Sequence, residues 1–375
     1  MQIIVTDVQS TITRQISESE RATWAALASD IRFGARHFAA LLTLGEPLEM
    51  VVNNAVAVLV KRGIELAVAQ LTHDIIHATH PESVLTALTK QSITLITRQD
   101  PEYPLLLSEL AVPPAVLYVR GKIDESPCLA VVGTRRVSLY GRRVTEDLVT
   151  SLSRQGLVIV SGLALGIDGI AHQAALAAEG VTWAVLGCGV DRVYPTSHEH
   201  LARDILDQGG ALISEFPPGT PALRHHFPVR NRIIAGLARA TLVVEATEQS
   251  GSLITARSAL EANRDVLTVP GSIYAPGSAG PHRLIQLGAK LVHTVDDVLS
   301  ELGLDHGPAE SDARAVIADS AEERLILTAL SSEPLLLDRL IESVALDAPT
   351  VLSTLTLMEM KGKVRNLGGN LYVRR

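Results

Sequence analysis

The stretch AVVGTRRVSLYG, from Ala130 to Gly141, decides the fold of the central part of this chain. A short apolar run, typical of a buried strand, ends at Gly133, and a helical pattern begins after Ser138. The stretch therefore predicts a strand, a loop of phosphate size and a helix start. A glycine lets the backbone approach a ligand closely, and the free N–H groups of a helix start favour an anion. Arg135 and Arg136 add guanidinium groups, whose planar fork matches phosphate oxygens.

Apolar runs alternate with helical patterns from this stretch to about residue 302. Strands and helices in this order form βαβ units, so we predict the α/β class with a parallel sheet. The loops that follow the strands gather at one edge, which is where such folds bind ligands. The predicted strands are Leu129–Val132, Leu157–Val160, Thr182–Leu186, Ala211–Ser214, Thr241–Glu245, Val266–Val269 and Lys290–His293.

The flanking segments have other patterns. Residues 1–95 place apolar residues three and four apart, which predicts a helical N-terminal domain that includes the long run Ala55–Leu71. The proline-rich segment 92–121 predicts an extended connector with one strand at Leu117–Val119. Residues 96–302 then form the α/β domain, and the small, polar residues 303–320 predict a linker.

The C-terminal segment, 321–375, predicts a small separate domain. Three helices followed by a two-stranded hairpin describe a winged helix. Its third helix, TVLSTLTLMEMK, has Lys361 as its only cation, whereas contacts to phosphates need Lys or Arg along an exposed face. We therefore expect a structural or protein-contact role with little binding of duplex DNA. The predicted helices are Glu322–Leu330, Leu335–Val344 and Thr350–Lys361.

Composition sets limits on the function. The net charge of −8 requires a nucleic-acid partner to be met by a local basic patch, and an aromatic content of 3% limits serial base stacking. Cys128 and Cys188 have no zinc-site spacing and fit a reducing cytoplasm. No apolar stretch approaches the length of a membrane span, so we expect a cytoplasmic protein without a membrane partner. The glycine pair of GCGVDR lacks the third glycine of a dinucleotide site, and we expect no cofactor and no metal.

Three further loops carry candidate phosphate contacts. Ser161 and Gly162 follow the second strand and can present donors, while Asp168 fits the N-cap of the next helix. Ser250 and Gly251 stand at another helix start.

The third loop opens the stretch FPVRNRIIAGLA, which begins at Phe227. Arg230 and Arg232 fall at the expected start of a helix, where the macrodipole disfavours cations, so an anion is expected beside them. A phosphate that also receives hydrogen bonds from Asn231 is one candidate, and a salt bridge to Glu215 or Glu245 is the other.

Motifs of catalysis are missing. The chain contains no GxSxG elbow, no GxxxxGK[ST] loop and no HExxH, and Glu215 and Glu245 stand alone rather than as a pair of carboxylates. The residues therefore predict a site that holds phosphates without cutting them, with no catalytic residue. The open alternatives are a phosphoribohydrolase-like enzyme that uses Glu215 or Glu245 as acid or base, and a scaffold for recombination proteins.

With these residues in view, the chain resembles the bacterial DNA-processing protein A (DprA, also called Smf) family from about Pro104 to Asp297. The resemblance implies an extended Rossmann-like domain that binds single-stranded DNA, forms a homodimer and helps to load the RecA recombinase during natural transformation and recombination. The motifs that carry it occur in order: PPAVLYVRG, VVGTRRVSLYG, SGLALGIDGIAH, GCGVDRVYP, SEFPPGT, FPVRNRIIAG, VEATEQSGSLITA, VPGS and LIQLGAKLV.

The resemblance also assigns residues to the DNA site. It implies that Arg135 grips a DNA phosphate in a pocket shaped by Gly133, Thr134 and Ser138. The other residues expected along the same groove are Ser161, Gly162, Phe227, Arg230, Asn231, Arg232, Ser250 and Gly251.

Overall fold

The computed structural model describes residues 16–304, 319–330, 334–361 and 363–374. The chain divides into two compact units between residues 305 and 306. Residues 305–318, which include most of the predicted linker, lie outside the described residues.

The first unit is built on a nine-stranded sheet in the order β1-β2-β6-β5-β4-β3-β7-β8-β9. The strands from β3 to β9 pair in parallel, whereas β2 pairs antiparallel with both β1 and β6. The predicted parallel sheet is therefore confirmed, with an antiparallel edge that the sequence reasoning missed. The strands are β1 (Thr94–Thr97), β2 (Val116–Gly121), β3 (Cys128–Val132), β4 (Val158–Ser161), β5 (Thr182–Val185), β6 (Ala211–Ser214), β7 (Ala240–Val243), β8 (Asp265–Thr268) and β9 (Lys290–Leu291).

Strand β3 shows why the parallel strands are continuous apolar runs. Successive side chains point to opposite faces of a sheet, and helices cover both faces here. Ala130 and Val132 pack into the core on one face, while Leu129 and Val131 pack into the core on the other. Each residue of β3 is buried.

Helices flank the sheet of the first unit, and short 3-10 turns at Thr196–His198 and Pro276–Ser278 interrupt two of its loops. The helices are α1 (Glu18–Ala28), α2 (Ala35–Leu42), α3 (Leu48–Val51), α4 (Val56–Lys61), α5 (Leu66–Ala78), α6 (Pro81–Lys90), α7 (Leu105–Ser108), α8 (Leu139–Arg154), α9 (Ile167–Ala177), α10 (Glu199–Asp207), α11 (His226–Leu237), α12 (Ser252–Glu261), α13 (Ala279–Gln286) and α14 (Val295–Glu301).

The N-terminal helices pack against the antiparallel edge of the sheet. Their core includes Leu95 of β1 and Tyr118 of β2, and the Tyr118 hydroxyl donates a hydrogen bond of 2.9 Å to the carbonyl of Ala28. The expected run Ala55–Leu71 is two helices rather than one, because Gly63 has a φ of +96° and breaks it between α4 and α5. The boundary proposed near residue 95 stays a prediction, since these helices and the sheet belong to one compact unit.

The second unit is a winged helix with a three-stranded sheet in the order β10-β12-β11. The second predicted helix begins two residues late, since Leu335 and Leu336 pair with Tyr372 and Leu371 as a strand. Among the described residues no single helix is long and apolar enough to cross a membrane. One pair of helices, bent by 115° at its break, has the length and composition of a membrane span, and only those two properties support that reading. The elements are α15 (Ala321–Ala329), β10 (Leu335–Leu336), α16 (Leu337–Ser343), α17 (Ala348–Met360), β11 (Val364–Asn366) and β12 (Leu371–Arg374).

Candidate functional site

A pocket of about 410 Å³ opens at the carboxyl ends of β3 and β7. The chain proceeds from β3 towards β4 in one direction and returns to β7 on the other side of β3, so the two loops border the topological switch point of the sheet. Eight of the predicted site residues line this pocket: Gly133, Thr134, Arg135, Phe227, Arg230, Asn231, Ser250 and Gly251.

Arg135 is an exposed cation that lines this pocket. Its guanidinium lies 5.8 Å from the centre of the Phe227 ring, a cation–π distance, and no ion pair joins it to a carboxylate within the described part of the chain. The ring of Tyr194 lies 5.5 Å from that of Phe227, tilted by 43°. Positive charge and an aromatic surface therefore stand side by side at the pocket.

Asn231 connects two walls of the pocket. Its side-chain amide donates to the carbonyl of Gly251 at 3.4 Å, and its side-chain oxygen accepts a bond of 3.2 Å from Arg230. The hydroxyls of Ser250 and Ser252 lie 2.8 Å apart and bond to each other. Helix α11 is thereby tied to the turn at the start of α12.

Ser138 lies outside the pocket lining. Its hydroxyl accepts the N–H of Gly141 at 3.0 Å as the N-cap of α8, and the same hydroxyl donates to the carboxylate of Glu245. The backbone N–H of Ser138 donates to that carboxylate as well, at 3.0 Å. Both polar groups of Ser138 therefore already have partners within the protein.

The hydrogen-bond donors predicted after β4, at Ser161 and Gly162, also have partners within the protein. Ser161 is fully buried, and its hydroxyl donates to the carbonyl of Val131 at 2.6 Å. The N–H of Gly162 donates to the carboxylate of Asp168 at 3.1 Å. The predicted N-cap role of Asp168 was wrong, since α9 begins at Ile167 after Gly166 and Asp168 instead holds the loop that precedes the helix.

Arg230 is buried and binds backbone carbonyls of the protein, so it is not an exposed group available to a ligand. Its side chain is 3% exposed, and its guanidinium donates to the carbonyls of Gly162, at 2.8 Å, and Val185. Burial lowers the pKa of Arg230 to about 10, which Asp168 partly offsets. The predicted helix start was wrong, because α11 begins at His226 and Arg230 lies beyond its first turn.

Arg232 points away from the pocket. Residues two apart on a helix differ by about 200° in direction, so Arg232 faces a second cavity, of about 500 Å³. There it forms an ion pair with Glu215 and donates to the carbonyl of Val112 at 2.8 Å. Burial raises the pKa of Glu215, and Arg232 opposes that shift. Of the two explanations left open for this arginine, the salt bridge to Glu215 is the one observed.

Two residues near the pocket are missing from the predicted list of DNA-site residues, although Arg136 was noted as a charge in its loop. Arg136 lines the pocket beside Arg135, is exposed and has no ion pair within the described ranges. Its position next to Arg135 in the same loop was a sufficient reason to include it. Tyr194 follows β5 and is 48% exposed, but its approach to Phe227 depends on tertiary packing.

The fold and the pocket define a doubly wound α/β protein with a cationic and aromatic pocket at the switch point of its sheet. Residues 94–303 match the model of the family described as DNA recombination-mediator protein A, and residues 308–370 match the DprA winged helix domain. The chain belongs to the DNA recombination-mediator protein A family. The resemblance to the DprA and Smf proteins is thereby confirmed.

Individual relatives agree with this assignment. Protein Smf of Escherichia coli is 41% identical over 301 residues, which cover 78% of this chain and 80% of that protein. The crystal structure of DprA from Streptococcus pneumoniae is 36% identical with a TM-score of 0.65, over 77% of this chain and 99% of that one. DprA from Helicobacter pylori, described with a single-stranded DNA binding mode, is 28% identical with a TM-score of 0.51, over 56% of this chain and 95% of that one.

Proposed function

We propose that this protein binds the backbone of single-stranded DNA at the pocket formed by the loops after β3 and β7. The observation that carries the proposal is Arg135, an exposed cation that forms no ion pair with a carboxylate among the described residues and lies above the ring of Phe227. A guanidinium suits a backbone phosphate, and an aromatic face suits an unstacked base. The described binding mode of the relative from Helicobacter pylori supports the same ligand.

The test is the Arg135→Ala variant, with binding of labelled single-stranded oligonucleotides followed by fluorescence anisotropy. Loss of one phosphate contact lowers the affinity about tenfold for every sequence. It also reduces the slope of log affinity against log salt concentration by about 0.7.

Arg154→Ala is the matched control for this test. Arg154 is exposed in the last turn of α8, at the opposite end of the helix from the Arg135 loop. The control removes the same charge and leaves the affinity unchanged. Equal affinities of the Arg135→Ala variant and the unmodified protein would refute the role of Arg135.

The proposal continues to a partner and an assembly state. The protein acts as a homodimer and helps to load a RecA recombinase onto single strands in transformation and recombination. The family description of a recombination mediator supports a role in recombination. The test uses single-stranded DNA coated with a single-strand-binding protein. We expect this protein to shorten the delay before RecA begins to hydrolyse ATP on that DNA. An unchanged delay in ATP hydrolysis would contradict the loading role. Sedimentation equilibrium measures whether the protein is a dimer in solution.

We propose no catalytic activity for the site. The two carboxylates considered for an enzyme do not line the pocket, since Glu215 pairs with Arg232 in the other cavity and Glu245 binds Ser138. Incubation with mononucleotides therefore releases neither base nor phosphate. Release of either product would favour the phosphoribohydrolase-like alternative.

A further inference from the structure

The carboxylate of Glu245 lies at the start of α8, inside the protein. Glu245 follows β7 and is 5% exposed. Its carboxylate accepts the backbone N–H of Ser138 at 3.0 Å and the Ser138 hydroxyl, while its own carbonyl accepts the N–H of Thr134 at 2.7 Å. One residue of the neighbouring strand end thus holds both ends of the loop that carries Arg135.

Gly141 of α8 lies directly against this carboxylate. A Cβ atom built on Gly141 would lie 2.3 Å from one carboxylate oxygen of Glu245 and 2.4 Å from its carboxyl carbon. A helix start after the first strand of a parallel βαβ unit is where such folds hold the phosphate of a bound nucleotide. Here a negative side chain of the protein receives the same kind of donors that a phosphate would receive.

We propose that Glu245 replaces a bound phosphate at this helix start and acts as the positioning residue for Arg135. The inference rests on the proposed binding of single-stranded DNA. Because the loop is anchored through Ser138 and Thr134, Arg135 keeps its place at the pocket without an ion pair to any described carboxylate. The helix start is closed to nucleotides, and the cations of the loop are left for a DNA backbone that passes outside it.

The first experiment tests whether the position holds an anion. Glu245→Ala opens a space the size of a small carboxylate, so sodium formate raises the melting temperature of this variant relative to sodium chloride at equal ionic strength. The unmodified protein shows no such difference, because its own carboxylate fills the space. Absence of a formate effect in the variant would overturn the proposed replacement of an anion.

The second experiment tests positioning through a double-mutant cycle with single-stranded DNA. Glu245→Gln keeps the shape of the side chain and lowers the affinity about tenfold, since the loop must be ordered on binding. In the Arg135→Ala background the same change has no further effect, because Glu245 acts through Arg135. Additive losses of affinity would contradict positioning.

Two further variants separate the position of the Glu245 carboxylate from its charge. Gly141→Ala displaces the carboxylate without altering its charge, and it lowers the affinity as Glu245→Gln does. Glu248→Ala removes an equal charge from an exposed position on the loop after β7 and leaves the affinity unreduced. If the unmodified protein binds no single-stranded DNA, the proposed function fails, while the formate experiment still decides whether Glu245 replaces an anion.

Discussion

Three arginines of the predicted DNA site occupy three different environments. Arg135 is exposed at the pocket, Arg230 is buried beneath it, and Arg232 is paired with Glu215 in another cavity. An arginine whose donors are satisfied by carbonyls or a carboxylate has little left to offer a phosphate. Burial and partners, rather than residue type, therefore separate the exposed contact from the two arginines that hold the protein together.

Arg230→Met tests the bracing role at the level of a single residue. The carbonyls of Gly162 and Val185 lose their buried donor, and the carboxylate of Asp168 loses its compensating charge. The free energy of unfolding falls by about 3 kcal/mol. Unfolding in urea measures this loss.

Arg232→Ala is the comparison for Arg230→Met. Its side chain is 22% exposed and that of Glu215 is 15% exposed, so loss of the pair costs about 2 kcal/mol, less than the loss of the buried Arg230. The affinity for single-stranded DNA is unchanged, since Arg232 lies outside the pocket. Equal losses of stability in the two variants would contradict the distinction between the buried Arg230 and the partly exposed Arg232–Glu215 pair.

At the scale of elements, a partly buried ion pair joins the N-terminal helices to the sheet. Arg21 of α1 binds Asp100, which follows β1, through two hydrogen bonds of 2.8 and 2.6 Å. Asp100 is 2% exposed and also accepts the N–H of Thr97 at 2.7 Å. The pair joins a helix to a strand far along the sequence.

Asp100→Asn tests this fastening. An amide cannot accept both bonds from Arg21, so the free energy of unfolding falls by about 2 kcal/mol. Asp30→Asn is the matched control, because Asp30 forms a pair of the same length with Arg32, whose side chain is 70% exposed. The control costs less than about 1 kcal/mol. Comparable melting temperatures for the two variants would be the contrary result.

The sequence predicted the parallel strands to within one or two residues, because strands buried on both faces are continuous apolar runs. It missed β1 and the antiparallel edge, since four residues in a proline-rich segment carry too short a pattern. Pocket residues that lie in the loops after strands, such as Gly133 and Ser250, could be predicted, because ligands bind at the carboxyl ends of parallel strands. The roles of Ser138 and Arg230 could not, because their partners lie 107 and 68 residues away.

At the scale of the whole molecule, the winged helix unit uses its lysines internally. Lys361 forms ion pairs of 2.8 Å with Asp319 and Glu323, and Lys363 binds the same two carboxylates. The cation singled out in the third helix is therefore neutralised within its own unit. This arrangement agrees with the expectation of little binding to duplex DNA, which stays a prediction.

The same network sets a pH dependence for that unit. Hydrogen bonds from Lys361 and Lys363 lower the pKa of Asp319 and of Glu323 to about 2. The unfolded chain binds these protons more readily, with pKa values of about 3.9 and 4.3. The stabilisation is therefore complete above about pH 5 and is lost as the pH falls from about 4 to 2.

Methyl NMR of Ile326, which is buried in the unit, follows its unfolding in the full chain. Lys361→Met weakens the acid dependence, because one of the two partners that lower both pKa values is gone. Arg339→Met removes a cation from an exposed pair with Glu342 and leaves the dependence intact. An acid transition identical in all three proteins would exclude the lysine network as its cause.

The carboxylate at the start of α8 also bears on competition inside a cell. ATP and other free nucleotides are abundant wherever DNA is copied or repaired, and the helix start of a doubly wound fold is where they compete for a protein. Since the proposed occupant of this position is a side chain of the protein, no bound nucleotide has to dissociate before single-stranded DNA binds. Under the proposed role of Glu245, DNA binding depends on the concentrations of single strands and salt and is independent of the concentration of free nucleotides.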